Sequence, residues 1–317
     1  MAGTSRYFIT GSSGFVGRHL VGAILARQPS ATVGVLINRS ESAFGDRVQQ
    51  FRGDLTDADA VGRAIEAFAP QTIVHLAAQS SAAQSVSGAS STWHVNVGGS
   101  LALASAVAAH APKATLLFVS SAGVYGDAYR AGVANELTVP QPHNAYARSK
   151  YAAELMFKDV LPETARLVIV RPVAQVGEGH DERFFLPSIA AQVARMEAGK
   201  LPPVLKVGDL TVELDFLHVD DAVEAYLRLA DDAAIPTGIY NVSSETPRRL
   251  SDIVEIIKSQ SKVDFEIRQD PARLRKNDIP RMALDSSKLK KLTGWHPKRT
   301  IDTTLLDQLN DWRARTR

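Results

Sequence analysis

Short runs of β-branched and other apolar residues alternate, along the first half of the chain, with longer segments whose apolar residues recur at helical spacing. The apolar runs predict strands at residues 7–10, 32–37, 49–52, 72–76, 115–120 and 167–171. The helical spacing predicts helices at residues 16–27, 59–67, 92–109 and 145–158. Strands that alternate with helices are typical of a parallel sheet covered on both faces. The pattern therefore predicts a doubly wound α/β fold.

The regular alternation ends after Pro172. Beyond that residue proline and glycine become denser, and helix-like segments mix with charged turns. The chain contains no internal repeat and no low-complexity linker. We therefore expect a second, smaller α/β region that begins near residue 172.

Composition indicates a globular protein that binds small molecules. The 317 residues are 45% hydrophobic and carry a formal net charge of +2, without the long basic block of a nucleic-acid-binding surface. Apolar stretches end well short of the roughly 20 residues that span a bilayer, and residues 1–6 lack the apolar core of a signal peptide. The chain has no cysteine, and its eight histidines show no HExxH spacing. We expect a cytoplasmic protein without a metal site, a membrane contact or a nucleic-acid partner.

Three glycines, Gly11, Gly14 and Gly17, stand between the first predicted strand and the first predicted helix. At such a junction a glycine loop can bind the pyrophosphate of a dinucleotide. Gly11 would permit the tight turn, Gly14 the approach of backbone N–H groups, and Gly17 the packing of helix on strand. The helix N-terminus would add unpaired donors and a positive dipole end. A glycine turn without a ligand is the alternative, since the GxxGxxG spacing differs from the GxGxxG of ordinary dehydrogenases.

The tip of the second predicted strand reads Asn38-Arg39-Ser40. In dinucleotide-binding folds this tip meets the adenosine ribose, where an acidic residue favours NAD and an arginine favours the 2′-phosphate of NADP. The neutral Asn38 beside Arg39 and Ser40 therefore favours NADP(H). NAD(H) is the alternative if Arg39 is only a solvated loop charge.

Asp54 follows the third predicted strand. Its carboxylate could accept a hydrogen bond from the adenine amino group. The alternative is that Asp54 is the N-cap of the next helix, a role that Thr56 or Asp57 could fill equally well.

Tyr146 and Lys150 are four residues apart in a predicted helix, so both lie on one face. The ammonium of Lys150 could then sit close to the phenol of Tyr146 and favour its deprotonated form. A phenol tuned in this way exchanges a proton with a carbonyl or alcohol oxygen. Upstream, an apolar strand ends in Ser120 and Ser121, at the edge of the sheet where cofactor and substrate meet. A serine there could bind the same substrate oxygen; the alternative is that Tyr146 and Lys150 are incidental surface neighbours.

Six segments form a combined pattern: Thr10-Gly11-Ser-Ser-Gly14-Phe15-Val-Gly17, His75-Leu76-Ala77-Ala78, Asn96-Val-Gly-Gly99, Ser120-Ser121-Ala-Gly-Val124-Tyr125-Gly126, Tyr146-x-x-x-Lys150 and Arg171-Pro172. Together they resemble the extended short-chain dehydrogenase/reductases, a family that acts largely on nucleotide sugars. The resemblance implies a Rossmann domain that binds the cofactor, a smaller substrate domain, and a homodimer that pairs through a four-helix bundle. We assign residues 1–171 to the Rossmann domain, with 215–243 returning to it, and residues 172–214 and 244–317 to the substrate domain.

The resemblance also implies which side chains act. Ser121, Tyr146 and Lys150 would be the catalytic residues. The expected cofactor contacts are Gly11, Ser13, Gly14, Phe15, Val16, Asn38, Arg39, Ser40, Asp54, Leu55, Leu76, Ala77, Ala78, Asn96, Tyr146, Lys150 and Arg171. The expected contacts with the nucleotide sugar are Ser121, Ala122, Gln175, Val207 and Arg275.

The residues after Ser121 bear on the reaction type. Family members that dehydrate a hexose carry a glutamate two positions after the catalytic hydroxyl, because removal of the C5 proton needs a carboxylate base. Here those two positions are Ala122 and Gly123. Dehydration is therefore not expected, whereas a reductase and a 4-epimerase both stay open. Epimerases recycle a tightly held NAD, so the preference for NADPH at Arg39 favours a reductase.

Five segments of the C-terminal half carry a further pattern: Val207-Gly208-Asp209-Leu210, Asp215-Phe216-Leu217-x-Val219-x-Asp221, Ile239-Tyr240-Asn241-Val242-Ser243, Asp270-Pro271-Ala272-Arg273-Leu274-Arg275 and Thr293-Gly294-Trp295-x-Pro297. They resemble one branch of the family, the GDP-4-keto-6-deoxy-D-mannose reductases that make GDP-D-rhamnose. The resemblance implies that Arg275 binds the diphosphate of the sugar nucleotide, for which a bidentate guanidinium is suited. The alternative is an exposed arginine in a turn, because Arg273, Arg275 and Lys276 crowd together.

Two positions depart from that branch. Its members have RPFN where this chain has Arg171-Pro172-Val173-Ala174, and they have arginine before the Asp-Phe pair where this chain has Leu214. Loss of two polar contacts with a diphospho-nucleotide would cost about a few kcal/mol if nothing replaced them. Gln175, Glu178 or His180 could replace them, or the sugar or the nucleotide differs.

Overall fold

The computed structural model describes residues 5–38, 44–274 and 279–317. In that part of the chain the strands are β1 (Arg6–Thr10), β2 (Thr32–Ile37), β3 (Gln49–Arg52), β4 (Thr72–His75), β5 (Thr115–Val119), β6 (Arg166–Pro172), β7 (Ala174–Val176), β8 (Val204–Val207), β9 (Glu213–Leu214), β10 (Phe216–His218), β11 (Gly238–Val242), β12 (Arg248–Arg249) and β13 (Glu266–Gln269). The predicted strands are all present, and their bounds differ by at most one residue from those expected.

The helices of the described residues are α1 (Phe15–Arg27), α2 (Ala58–Phe68), α3 (Gln84–Ser87), α4 (Ala89–Trp93), α5 (Gly99–His110), α6 (Ala145–Val160), α7 (Phe185–Glu197), α8 (Val219–Asp231), α9 (Leu250–Gln260), α10 (Ser287–Thr293) and α11 (Ile301–Thr316). The longest, α6 and α11, have 16 residues each. None of the helices in these ranges combines the length and the apolar character that crossing a membrane requires.

Seven of the described strands form one parallel sheet in the order β11–β6–β5–β4–β1–β2–β3. From β1 the chain builds outward to β3, and it then returns to place β4 on the other side of β1. In doubly wound sheets, ligands bind at such a reversal, beyond the carboxyl ends of the strands. The predicted doubly wound α/β fold is confirmed.

Residues of the strands inside the sheet alternate between two hydrophobic cores, one on each face of the sheet. In β1, Ile9 belongs to the core beneath α1 and α8, whereas Phe8 belongs to the core beneath α2, α5 and α6. Leu117 and Phe118 of β5 divide in the same way. Because both faces of these strands are buried, they are continuous apolar runs, which explains why the sequence pattern located them so closely. The edge strand β3 is mostly exposed and has no such run.

The last strand of the sheet comes from the second half of the chain. β11 pairs in parallel with β6, from Gly238 opposite Val168 to Val242 opposite Pro172. The helix before it, α8, packs against α1 on one face of the sheet. The division of the chain into two domains stays a prediction.

A third hydrophobic core lies among α7, β8, α9 and α11. Three small two-stranded sheets lie outside the main sheet: β7 with β10, β8 with β13, and β9 with β12. The β7–β10 pairing sets Ala174 opposite Phe216, immediately after β6 leaves the main sheet. Ala174 and Leu214, the two positions of departure, therefore lie close to each other at this junction.

The predicted helix at residues 92–109 is wrong in one respect. It is divided into α4 and α5 by a π-helical turn at His94–Gly98. Inside this turn, Asn96 Oδ1 accepts from Gln79 N at 2.8 Å, and Asn96 Nδ2 donates to Ser149 Oγ at 2.9 Å. These tertiary hydrogen bonds pull Asn96 inward, and a π turn is a common way to accommodate such a residue. Apolar spacing carries no signal for it.

Candidate active site

The predicted functional residues converge at the carboxyl edge of the central sheet. The glycine loop follows β1, Leu76–Ala78 follows β4, and Ser120 and Ser121 follow β5. Parallel strands bring these three ends to one side of the sheet. The edge coincides with the strand-order reversal between β1 and β4, where doubly wound folds bind ligands.

The glycine loop requires glycine at two of its positions. Gly11 has φ of +77°, and a Cβ added there would lie 2.7 Å from Ala77 N. A Cβ at Gly17 would lie 2.1 Å from Gly11 O, so that α1 could not pack as closely on the loop. Gly14 N donates to Gly11 O at 3.0 Å and closes the turn. The loop therefore keeps α1 in direct backbone contact with the end of β1.

The same loop presents donors without partners. Helix α1 begins after Gly14, which offers no side chain to cap it. The N–H groups of the first helical turn have no acceptor within their own helix, and they carry the positive end of the helix dipole. Ser12 Oγ is buried and has no hydrogen-bond partner among the described residues. Ser13, Phe15 and Val16 are at least partly exposed around it. This set of donors fits the pyrophosphate of a dinucleotide.

The segment after β4 closes the opposite side of the loop. Leu76 N donates to Thr10 O at 3.2 Å, and Ala77 N donates to Thr10 Oγ1 at 3.3 Å. Leu76, Ala77 and Ala78 are all partly exposed. Beneath them His75 is buried, and burial lowers its pKa to about 3, so the ring is neutral and structural. Small, partly exposed side chains next to the glycine loop leave room for a ligand there.

Asn38 and Asp54 lie at the ends of β2 and β3 and bind each other, with Asn38 Nδ2 2.6 Å from Asp54 Oδ2. Asp54 Oδ1 also accepts from Thr56 N and Thr56 Oγ1, and these bonds hold the pKa of Asp54 below its usual value. The N-cap of α2 is Asp57, whose side chain accepts from Asp59 N and Ala60 N. The alternative that Asp54 caps this helix is therefore wrong.

Three of the residues predicted to bind the cofactor or the substrate lie outside the described residues, and a fourth is buried. Arg39, Ser40 and Arg275 lie outside the described residues. Leu55 is buried and would be in contact with any Cβ added at Gly99.

Tyr146 is held in the first turn of α6. Asn144 caps this helix by accepting from Ala147 N at 2.9 Å. Tyr146 N donates to Ser85 Oγ at 3.2 Å, a contact from the short helix α3 that the sequence did not indicate. Ser149 Oγ donates to Tyr146 O and accepts from Asn96, so the π turn also supports this position. The catalytic candidate is therefore fixed by its backbone.

The two serines after β5 have different surroundings. Ser120 is buried, and its hydroxyl donates to Glu154 Oε1. Ser121 is partly exposed, and its Oγ accepts from Gly123 N at 3.0 Å, which leaves its own hydrogen free to donate. Ser121 is also close enough to lower the pKa of Tyr146. The structure brings Ser121, not Ser120, together with the phenol.

The Lys150 amine contacts the end of β5. It donates to Val119 O at 2.8 Å and lies 4.9 Å from the ring centroid of Phe118. Burial lowers the pKa of Lys150 to about 7. Burial of the hydroxyl raises the pKa of Tyr146, and a hydrogen bond with Ser121 lowers it. The expected lowering of the pKa of Tyr146 by Lys150 stays a prediction.

Two other residues expected to contact the cofactor, Arg171 and Asn96, are hydrogen-bonded to other residues of the protein. Arg171 is 2% exposed and forms a bidentate ion pair with Glu154, which is 0% exposed. The Arg171 guanidinium also lies 4.8 Å from the ring centroid of Tyr125, and its Nη1 has no partner among the described residues. Asn96 is 2% exposed, and its side chain is hydrogen-bonded to Gln79 and Ser149. Both residues are therefore buried and held by neighbouring side chains in this structure. Their direct contact with the cofactor stays a prediction.

The expected substrate contacts lie in three places. Ala122 is buried beside Ser121, and its carbonyl accepts from Tyr129 Oη at 2.9 Å. Val207 is buried at the end of β8, in the third core. Gln175 lies in β7 and is partly exposed. Among these three residues, Val207 therefore lies apart in the third core, whereas Ala122 is next to Ser121.

A buried tyrosine that the sequence did not indicate joins Gln175 to the site. Tyr226, in α8, is fully buried; the Gln175 side chain lies beside its hydroxyl, and Tyr146 lies near enough to affect its pKa. Neither Gln175 Oε1 nor the Tyr226 hydroxyl completes a hydrogen bond with a residue of the described ranges. Tyr226 occupies an apolar position of an amphipathic helix, so spacing alone predicts only a core residue.

His180, one of the residues that could replace the lost polar contacts, packs against the glycine loop. Its ring stacks on Phe15 at a centroid distance of 4.2 Å and an angle of 4°. Burial lowers the pKa of His180 to about 4, so the ring is neutral at physiological pH. Replacement of the lost polar contacts by His180 stays a prediction.

The chain is similar over nearly its whole length to enzymes of known activity. The family model described as GDP-mannose 4,6 dehydratase matches residues 8–308. The GDP-6-deoxy-D-mannose reductase of Pseudomonas aeruginosa is 35% identical over 317 residues, which cover 99% of each chain. The solved structure of RMD from Pseudomonas aeruginosa, complexed with NADPH, has a TM-score of 0.85 at 32% identity and covers 98% of this chain and 100% of that one. The UDP-glucose 4-epimerase of Thermus thermophilus, solved with NAD, has a TM-score of 0.84 at 28% identity and covers 97% and 99%.

Proposed function

Because the chain belongs to the GDP-mannose 4,6 dehydratase family, we propose that it is an NADPH-dependent reductase of a nucleotide-linked 4-keto-6-deoxy sugar. The substrate we favour is GDP-4-keto-6-deoxy-D-mannose, whose reduction at C4 gives GDP-D-rhamnose, or a related GDP-sugar. The 35% identity with a GDP-6-deoxy-D-mannose reductase supports this choice. So does the solved complex of RMD with NADPH, to which the chain is 32% identical.

The turn around Ser121 carries the proposal. Ser121 Oγ accepts from Gly123 N at 3.0 Å, which fixes residues 121–123 as a tight turn after β5. Ala122 and Gly123 bring no carboxylate to this turn. Dehydration would need a base for the C5 proton, whereas reduction of a ketone needs only a proton donor and an oriented carbonyl. Ser121 and Tyr146 can supply both.

Tyr146 would act as the general acid. Because burial raises its pKa, the phenol keeps its proton at neutral pH and can give it to the oxygen that becomes negative as the ketone is reduced. The Ser121 oxygen accepts a hydrogen bond from Gly123 N, and its hydroxyl hydrogen would be donated to the same substrate oxygen. NADPH supplies the hydride when it is bound. Lys150 would hold the nicotinamide ribose with the amine that now donates to Val119 O.

The remaining cofactor contacts follow from the donors at the sheet edge. The first-turn N–H groups of α1 and the unpaired Ser12 hydroxyl would bind the pyrophosphate. The Asn38–Asp54 pair would face the adenosine, and the small side chains of Leu76–Ala78 would line the floor. The choice of NADPH over NADH rests on Arg39 and on the RMD complex.

The direct test is NADPH oxidation with GDP-, dTDP-, UDP- and CDP-linked 4-keto-6-deoxy sugars, with the product configuration read by NMR. We expect turnover with the GDP-linked substrate and a product reduced at C4. A chain that oxidises NADPH with none of the four series contradicts the proposal. Turnover only with a sugar linked to another nucleotide would support the reductase activity and would contradict GDP as the nucleotide of the substrate.

A nucleotide-sugar 4-epimerase is the second candidate, because a UDP-glucose 4-epimerase solved with NAD is 28% identical to the chain. An epimerase would retain NAD through purification and would interconvert sugar isomers without net oxidation of NADPH. Identification of the cofactor released on denaturation separates the two functions. Release of stoichiometric NAD would favour the epimerase.

Gly17→Ala is expected to weaken NADPH binding by at least about tenfold, since the Cβ would lie 2.1 Å from Gly11 O and force the loop open. NADPH fluorescence titration measures the effect. Gly62→Ala in α2 is the matched control, because its Cβ would meet only His110 Nε2 at 3.9 Å. The control should bind NADPH normally and gain about 0.5–1 kcal/mol of stability. Equal affinities for the two variants would contradict the role of the loop.

We propose that the homodimer forms through α5 and α6, which pack against each other and would meet the same pair of a second subunit. Leu101 in α5 and Leu155 in α6 are each 44% exposed. Leu101→Glu should convert the dimer to a monomer in sedimentation velocity, because it would bury a charge in the interface. Leu137→Glu, at a site 91% exposed outside the helices, is the control and should stay dimeric. A wild-type monomer, or a dimeric Leu101→Glu variant, would contradict this interface.

A further inference from the structure

We propose that Arg248 binds the diphosphate of the nucleotide sugar and replaces the arginine that this chain lacks at position 214. The inference rests on the proposed function, and it names the residue that recognises the anionic part of the substrate. Sequence position alone gives no reason to connect residues 214 and 248, which are separated by α8, β10 and β11. Their connection comes from strand register.

Register places the two residues on one face of a small antiparallel pair. Leu214 of β9 lies opposite Arg248 of β12, and Glu213 lies opposite Arg249. Directly opposed residues share a face, with their Cβ atoms about 4.5–5.5 Å apart. Arg249 Nε lies 3.4 Å from Glu213 Oε1, so that pair occupies one face and the Leu214–Arg248 pair the other. The Cβ atoms of residues 248 and 214 are therefore neighbours on the same face of the strand pair.

The face with Leu214 and Arg248 begins at the third core, against which Leu214 is packed. Its inner end is formed by Val212 and Leu250, both buried, with Leu250 N donating to Val212 O at 3.0 Å. Arg248 stands at the outer end and is exposed. The row thus changes from apolar to cationic as it leaves the core.

Strand pairing connects the row with β7. Phe216 follows Leu214 by two residues, about 7 Å of extended chain at most, and pairs with Ala174 of β7. The next residue of β7, Gln175, lies beside Tyr226, which in turn is near Tyr146. A nucleotide sugar whose C4 is at Tyr146 would therefore extend its diphosphate along this junction.

A buried carboxylate fixes the loop that carries Arg248. Asp215, 3% exposed, accepts hydrogen bonds from the hydroxyls of Ser243 and Ser244 and from Glu245 N. The loop leading to β12 is thereby tied to the residue next to Leu214. A guanidinium on a fixed backbone loses less conformational entropy when it binds a ligand.

Arg248 is also available, unlike its neighbours. Arg249 and Arg281 both form ion pairs with Glu213, at 3.4 and 3.0 Å. Within residues 5–38, 44–274 and 279–317, no carboxylate lies at ion-pair distance from Arg248. An exposed arginine without a carboxylate partner is suited to bidentate binding of phosphate oxygens.

The test is calorimetric titration of the full-length wild type and variants with GDP, UDP, dTDP and CDP, and with the nucleoside of whichever diphosphate binds. Arg248→Ala is expected to weaken the diphosphate by about tenfold to hundredfold, the range of a hydrogen bond to a charged group. The nucleoside should bind as it does to wild type. Arg249→Ala, one residue away on the opposite face, is the matched control and should change neither affinity. Leu214→Arg introduced into Arg248→Ala should restore the diphosphate affinity.

Each other result overturns the inference. Unchanged diphosphate affinity in Arg248→Ala would show that the residue does not touch the ligand. Equal losses in Arg248→Ala and Arg249→Ala, or equal losses for diphosphate and nucleoside, would show a general effect of charge or structure. Failure of Leu214→Arg to restore diphosphate binding would show that side chains at positions 214 and 248 do not reach the same group of the ligand. If wild type binds none of the four diphosphates, the proposed function fails first, and the inference fails with it.

Discussion

Replacement of Tyr146 by phenylalanine is expected to lower the rate of NADPH-dependent ketone reduction by at least about 100-fold, the lower end of the usual contribution of a general acid. The variant loses the only proton that the described site offers beside Ser121. NADPH binding should not be abolished, because the glycine loop and the ends of β2 and β3 provide most of the expected cofactor contacts. Stopped-flow oxidation of NADPH and fluorescence titration measure the two quantities.

Tyr151→Phe is the matched control for this experiment. Tyr151 lies in the same helix and packs against the core on the α1 side of the sheet. Its variant should keep the wild-type rate. A Tyr146→Phe enzyme that retains more than about a tenth of the rate would remove Tyr146 from the mechanism, because general acid catalysis contributes more than that.

Glu154→Gln is expected to lower the free energy of unfolding by about 3–5 kcal/mol. Glu154 is 0% exposed and neutralises Arg171, which is 2% exposed and already has one nitrogen without a partner. The substitution removes the negative charge and leaves the guanidinium charge buried. Urea unfolding followed by circular dichroism measures the change. Asp159→Asn, on an exposed site of the same helix, should stay within about 0.5 kcal/mol of wild type.

A double variant identifies the origin of the loss. Glu154→Leu with Arg171→Met removes both charges, and such replacements of buried ion pairs are often neutral in stability. The double variant should recover most of the loss, short of about 1–3 kcal/mol for the Ser120 hydroxyl that no longer has an acceptor. If Glu154→Gln costs less than about 1 kcal/mol, the pair is not the charge-neutralising unit described here.

The inner strands of the sheet could be predicted closely because their residues are buried on both faces. A strand such as β5 is then an unbroken apolar run that local pattern reveals. The glycine loop was equally accessible, since the backbone conflicts at Gly11 and Gly17 leave no other residue type. Composition and spacing predict such features because the physical cause lies within a few residues of chain.

Features that depend on distant residues could not be predicted in this way. The π turn at Asn96 depends on Gln79 and Ser149, and the distinction between Ser120 and Ser121 depends on Glu154. The hydrogen bond from Lys150 to Val119 O could not be predicted from helical spacing either. Spacing places two residues on one face of a helix, but the packed neighbours decide which atom each side chain meets.

The pairing of β11 with β6 has a consequence for anyone who wishes to produce the cofactor-binding part by itself. A fragment that stops at residue 171 would contain the glycine loop, Ser121, Tyr146 and Lys150, yet it would lack residues 238–242. The backbone groups of β6 that now bind β11 would become an open edge beside apolar side chains such as Val168 and Val170. Open apolar edges recruit strands from other molecules. Such a fragment should aggregate, so a minimal cofactor module has to be assembled by circular permutation or by a linker that brings α8 and β11 directly after β6.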